Sequence, residues 1–103
     1  MRRVLAALVT LALAGCGEGV GAAAAARGRT VYLAQCTTCH ATDPARPGPV
    51  GPPVKGASRA LLEARILHAG YPAGYTPKRR SAVMPAMPPL AASISDLAAY
   101  LAN

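Results

Sequence analysis

The sequence predicts a small all-α domain of three main helices, and three observations carry this. No segment shows sustained alternation of apolar and polar residues, so strands are not expected. Ile94, Leu97, Ala98 and Leu101 fall at i, i+3, i+4 and i+7, which gives one apolar helix face. Two stretches dense in Pro and Gly, Pro44 to Gly56 and Gly70 to Pro89, separate the helix-compatible segments from one another.

The chain starts with Arg2-Arg3, an apolar run from Val4 to Ala14, and then Gly15-Cys16. This charged, hydrophobic and small-residue order reads as a secretory signal, and the run is too short to span a bilayer as a permanent helix. The ending Leu13-Ala14-Gly15-Cys16 resembles a bacterial lipobox, so residues 1–15 are expected to be a lipoprotein-type signal peptide and Cys16 the lipidated residue. The alternative is an ordinary signal cut within Ala22 to Ala26. Residues 16–26, dominated by Gly and Ala with Glu18 as the sole charge, are expected to form a flexible tether, which leaves 27–103 as the folded domain.

Within that domain the first helix is expected over Arg29 to Thr38. Ser58 can cap the second, in which Leu62 and Ile66 lie four apart and Gly70 is a plausible terminator. In the third, Ser95 is placed to cap, and Asp96 lies where the positive helix end favours a carboxylate.

With 103 residues the chain holds at most one domain, and it contains no Phe and no Trp. A domain this small buries little surface, so a bound apolar group is expected to complete its core. The formal charge is +7, which becomes +5 when Arg2 and Arg3 are set aside with the signal. That balance points to an acidic protein partner. Nucleic acid is not expected, because no aromatics are interleaved with the basic residues.

The chemistry resides in Cys36-Thr37-Thr38-Cys39-His40. Spacings of i, i+3 and i+4 bring two thiols and an imidazole to one side of a helical turn. Two thiols can then reach the two vinyl groups on one edge of a porphyrin while the imidazole reaches its iron, and Cys-x-x-Cys-His is a recognised sign of covalent haem c attachment. A thioredoxin-like dithiol would need a βαβ setting that this composition does not offer. A structural zinc site would need a fourth ligand, for which only His68 and Cys16 remain. The three Cys divide into one lipidation candidate and two thioether positions.

From about Gly28 to Leu101 the chain resembles the class I cytochrome c family, as a small bacterial monohaem c-type cytochrome and lipoprotein. Gly28 and Tyr32 stand eight and four residues before Cys36, and Tyr100 lies in the last helix, where the family has a Gly and two aromatics at the crossing of its terminal helices. Gly51-Pro52-Pro53-Val54-Lys55-Gly56 is similar to the family's Gly-Pro-x-Leu-x-Gly loop. The resemblance implies a cytochrome c fold, with three main helices around one covalently attached haem. It implies that His40 binds iron and that the Pro52 carbonyl orients it. A Met is implied as the sixth ligand, and Met84, sixteen residues before Tyr100, fits the family's interval better than Met87. His68 is a third candidate. Tyr71, Tyr75, Thr76 and Lys78 are available for the haem propionates, in a region where the family's frequent Trp is absent.

The function so implied is that of a periplasmic single-electron carrier with one His/Met-ligated haem c, and not of an enzyme. It would be held to the membrane through a lipid anchor only, with redox partners that present acidic docking surfaces. Lys78-Arg79-Arg80 would supply positive charge at the haem edge. Two alternatives are a haem protein reactive toward gas or peroxide, and a tethered cytochrome subunit of a larger oxidase or dehydrogenase.

Overall fold

A computed structural model describes residues 17–103. The expected signal peptide, 1–15, and Cys16 lie outside the described residues. Three α-helices, α1 (Gly17–Gln35), α2 (Arg59–His68) and α3 (Ile94–Leu101), are joined by long loops, with a 3₁₀ turn over Pro88–Ser93 leading into α3. Among the described residues there is no strand, so the all-α, three-helix class is as predicted.

α1 begins far earlier than expected. The stretch read as a loose tether is helical from Gly17 onward, because Ala22 to Ala26 have the highest helix propensity of any residue and outweigh the interspersed glycines. Gly19 and Gly21 have no neighbouring atom within 4 Å of a would-be Cβ, so this part of α1 stands clear of the body. The helix stops at Gln35 rather than Thr38. Cys36 N–H still bonds Tyr32 O at 2.9 Å, and the Thr37 hydroxyl donates to Leu33 O at 2.8 Å, so the chain leaves the helix as a turn.

α1 meets α3 at Gly28. A Cβ there would lie 2.5 Å from the Asp96 carbonyl carbon and 2.9 Å from Tyr100 Cβ, so only a residue without a side chain permits this approach. One turn on, the Tyr32 and Tyr100 rings pack with centroids 5.6 Å apart and planes tilted by 51°. Arg27 grips Asp96 with two bonds, Nε to Oδ2 at 3.0 Å and Nη2 to Oδ1 at 3.1 Å. This paired geometry fixes how α1 lies along α3.

α2 is capped as predicted, with the Ser58 hydroxyl accepting from Leu61 N–H at 3.1 Å. Its stop falls one residue before the expected Gly70. Ala69 takes the left-handed conformation (φ 52°) and its N–H bonds Arg65 O at 3.1 Å, which is the αL cap with Ala where Gly is usual. For α3, Ser95 lies inside the helix and does not cap it, because the preceding 3₁₀ turn runs straight into Ile94. The core is Tyr32, Leu62, Ile66, Ile94, Leu97 and Leu101, one side chain from α1, two from α2 and three from α3.

Candidate functional site

Cys36, Cys39 and His40 lie on the turn that continues α1. His40 N–H bonds Cys36 O at 2.9 Å, so the motif keeps the helical register the spacing required. The following loop is folded back onto it. Val50 N–H and Gly51 N–H both donate to Cys39 O, at 3.1 and 2.7 Å. Two glycines make room for this: a Cβ on Gly48 would strike the backbone at Cys39 and His40, and one on Gly51 would strike the His40 ring.

His40 Nδ1 lies 2.9 Å from Pro52 O. A carbonyl can only accept, so Nδ1 carries the proton and Nε2 is left as the bare, ligating nitrogen. This is the orienting contact expected for Pro52. Burial pushes the Cys36 thiol above its ordinary range. That shift is opposite to the lowered value of a reactive dithiol, and no strand among the described residues supplies the βαβ setting of the thioredoxin-like alternative. Cys36 and Cys39 are free thiols.

Cys36, Cys39, His40 and Pro52 line one cavity of about 570 Å³, within the ordinary size range of cofactor sites. Met84 and Met87 both line it as well, and both pack against the core. The backbone of Met87 is tied to α2, its N–H donating to Ile66 O at 2.6 Å. Leu62, Ile66, Leu97 and Leu101 supply apolar wall. His68 is exposed and does not line the cavity. Of the four residues considered for haem carboxylates, Tyr71, Tyr75 and Lys78 line it and Thr76 does not.

Arg65 was not singled out from the sequence, although Leu62, Arg65 and Ile66 share one helix face at i, i+3 and i+4. It is only 9% exposed and lines the cavity. Its guanidinium sits 4.3 Å from the Tyr71 ring centroid, and Tyr71 in turn stacks on Tyr75 at 5.5 Å. Nη1 donates to Ala69 O at 2.8 Å, and among the described residues no carboxylate pairs with it.

The donor set suits a haem. Two free thiols, an imidazole with Nδ1 already bonded and a thioether share one apolar cavity with an unpaired cation. No group of three or more His, Cys, Asp and Glu able to hold a bare metal ion occurs among the described residues.

A family model described as "Cytochrome C oxidase, cbb3-type, subunit III" matches residues 23–101. Comparison with curated proteins and with solved structures gave no match. The family match corrects the expectation of a stand-alone class I cytochrome c, since the family found is that of an oxidase-complex subunit. The physical reason is plain: Gly28, Tyr32, His40 and Tyr100 answer to helix packing and cofactor attachment, and bear no mark of what the domain is joined to. A non-catalytic electron-transfer role agrees with this family. No helix of the described residues is long and apolar enough to cross a membrane.

Proposed function

The chain belongs to the family of cbb3-type cytochrome c oxidase subunit III, and we propose that it serves as a tethered, haem c-bearing electron-transfer subunit of a larger oxidase. The observation that supports this best is the His40 Nδ1 contact with Pro52 O, which leaves a fixed Nε2 in the cavity shared with Cys36, Cys39 and Met84. When bound, haem c supplies an iron that gains and gives up one electron. Cys36 and Cys39 would hold it as thioethers, each S–H adding across one vinyl group. His40 Nε2 and Met84 sulfur would be the two protein donors to its iron, from the cavity they both line. The Pro52 carbonyl fixes the tautomer of His40 and makes it a stronger donor. Arg65, buried at the cavity and without a carboxylate of its own, would pair with a carboxylate of the haem.

The exposed large apolar residues Val50, Tyr71 and Val83 all lie at the cavity lining. With Lys55 and Arg80 near them in the chain, they form a docking patch for an acidic surface of a partner subunit. Residues 1–15 act as a signal peptide and Cys16 is lipidated, which holds the domain 27–103 at the periplasmic face of a bacterial membrane. The helical stretch of α1 before Arg27 sets it off from that surface.

The test is expression of the whole chain with its signal, followed by a pyridine assay for haem c and purification from detergent-solubilised membranes. Covalent haem c and recovery together with other oxidase subunits are expected. A chain without covalent haem c overturns the cofactor reading. A haem-bearing chain recovered free of any other subunit returns the free-carrier reading.

A further inference from the structure

We infer that Lys78 and Arg79 are positioning residues for the proximal imidazole, acting as a two-point latch on the loop that presents Pro52. This rests on the haem reading above and extends it to residues that the sequence assigns to partner docking.

The loop has an unusual weakness. Pro52 and Pro53 have no N–H, so between Gly51 N and Val54 N the backbone offers no donor with which to anchor itself. Gly51 N–H is fixed to Cys39 O at 2.7 Å, and Val54 N–H to Pro44 O at 2.9 Å. What lies between can be held only through its carbonyls.

All four successive carbonyls are in fact taken. Arg79 Nη1 donates to Val50 O. Gly48 N–H donates to Gly51 O at 2.9 Å. His40 Nδ1 donates to Pro52 O at 2.9 Å, and Lys78 Nζ to Pro53 O at 2.8 Å. The two charged side chains therefore occupy carbonyls on either side of the one that meets His40. Such charge-assisted bonds are roughly twice as strong as neutral ones. Lys78 fixes the peptide plane that follows the Pro52 carbonyl, while Arg79 fixes the plane two before it, next to the one held by Gly48 N–H, so the direction of the Pro52 carbonyl is set from both sides.

Both side chains come from the loop that runs on to Met84, with Arg79 29 residues beyond Val50 and Lys78 25 residues beyond Pro53 in the chain, so neither bond is a local turn contact. The latch ties the segment bearing the distal ligand to the loop that orients the proximal one. It also spends two of the three consecutive basic charges inward and leaves Arg80 for docking.

The test uses the full chain carrying haem, with ¹⁵N-labelled histidine, in the reduced state. The readout is the solvent-exchange rate of the His40 Nδ1 proton by NMR, which reports opening of that single bond. In Lys78→Met with Arg79→Met the rate should rise at least tenfold, equivalent to about 1.4 kcal/mol of loosening. Arg80→Met should leave it unchanged, and Lys78→Arg should retain most of the protection. If the double variant does not load haem, the single variants decide the matter, each with at least a threefold rise.

A wild-type rate in the haem-bearing double variant, or in both single variants, overturns the latch. So does an acceleration no greater than that of the Leu97 amide in α3, which would mark general destabilisation. A wild-type chain lacking haem c overturns the cofactor reading and this inference with it, and the pyridine assay separates that failure from the other two.

Discussion

Replacing Gly28 by Ala should damage this protein more than most single methyl groups can. The added Cβ would lie 2.5 Å from the Asp96 carbonyl carbon and 2.9 Å from Tyr100 Cβ, and the first of these is backbone that no rotamer change can move. To reach the ~3.5 Å optimum for carbon contacts the two helices must part by about 1 Å. A gap of that size forfeits up to about half of the dispersion attraction along the contact. The side chains that lose it are the largest fully buried ones among the described residues, Tyr32 at 2% and Leu97 at 1% exposure. Overpacking of this kind costs on the order of 3 kcal/mol, against a total of roughly 5–15 kcal/mol for a whole domain. Urea unfolding of the haem-bearing chain followed by circular dichroism would measure it. Gly21→Ala is the matched control, since nothing lies within 4 Å of its Cβ and the helix gains ~0.5–1 kcal/mol of local propensity. If Gly28→Ala unfolds within about 0.5 kcal/mol of wild type, close approach at Gly28 does not hold α1 to α3.

Three further outcomes are expected. Ala69→Gly should stabilise the domain by about 0.5–1 kcal/mol in the same assay, because it relieves a left-handed Ala at the end of α2, less the added entropy of an unfolded Gly. The Tyr32 phenol, chiefly through burial, is pushed up from 10.0 to about 12, so its contribution is complete below pH 10 and is lost as pH rises through about 12. Melts across that window should lose at most ~2–3 kcal/mol, and Tyr32→Phe should remove this slope while lowering the plateau by about 1 kcal/mol for the lost bond to Ala41 O. Met84→Ala should abolish the near-infrared band of ferric Met ligation and lower the potential by at least about 59 mV, a tenfold change for one electron, whereas Met87→Ala should keep the band. The reverse pattern, measured by absorption and redox titration, would assign the ligand to Met87.

What could be read from the sequence was whatever depends on spacing along one element. The apolar face of α3, the Ser58 cap, and the helical register of Cys36, Cys39 and His40 all belong to that class, whereas the meeting of Gly28 with the last helix was implied by the resemblance. The Pro52 contact with His40 came from the resemblance, and it is present. The early start of α1 is hidden in a Gly- and Ala-rich composition that suits a tether, although five successive alanines favour helix. Ser95 and Gly70 were each placed one or two residues late, since a 3₁₀ turn and a left-handed Ala are set by neighbouring elements. Arg65 escaped notice because a charged residue on an apolar face has no meaning until the cavity beside it is known. Lys78 and Arg79 were read as outward charge, and only the tertiary fold shows which carbonyls they meet.

The two sides of the candidate site inherit different firmness from these origins. The proximal side is an extension of α1: Cys36 is bonded to Tyr32 O, His40 to Cys36 O, and the loop through Gly51 hangs from Cys39 O. Its geometry therefore follows the α1–α3 packing, which is the most buried part of the fold. The segment carrying Met84 has no regular structure, and Val83 beside it is 64% exposed. Its ties to the rest are the Met87 N–H bond to Ile66 O at one end and the Lys78 and Arg79 bonds at the other. Local opening should thus occur first on the Met84 side, leaving His40 in place. A ligand change in this protein would then begin at the thioether, at a free-energy cost below that of unfolding α1 from α3.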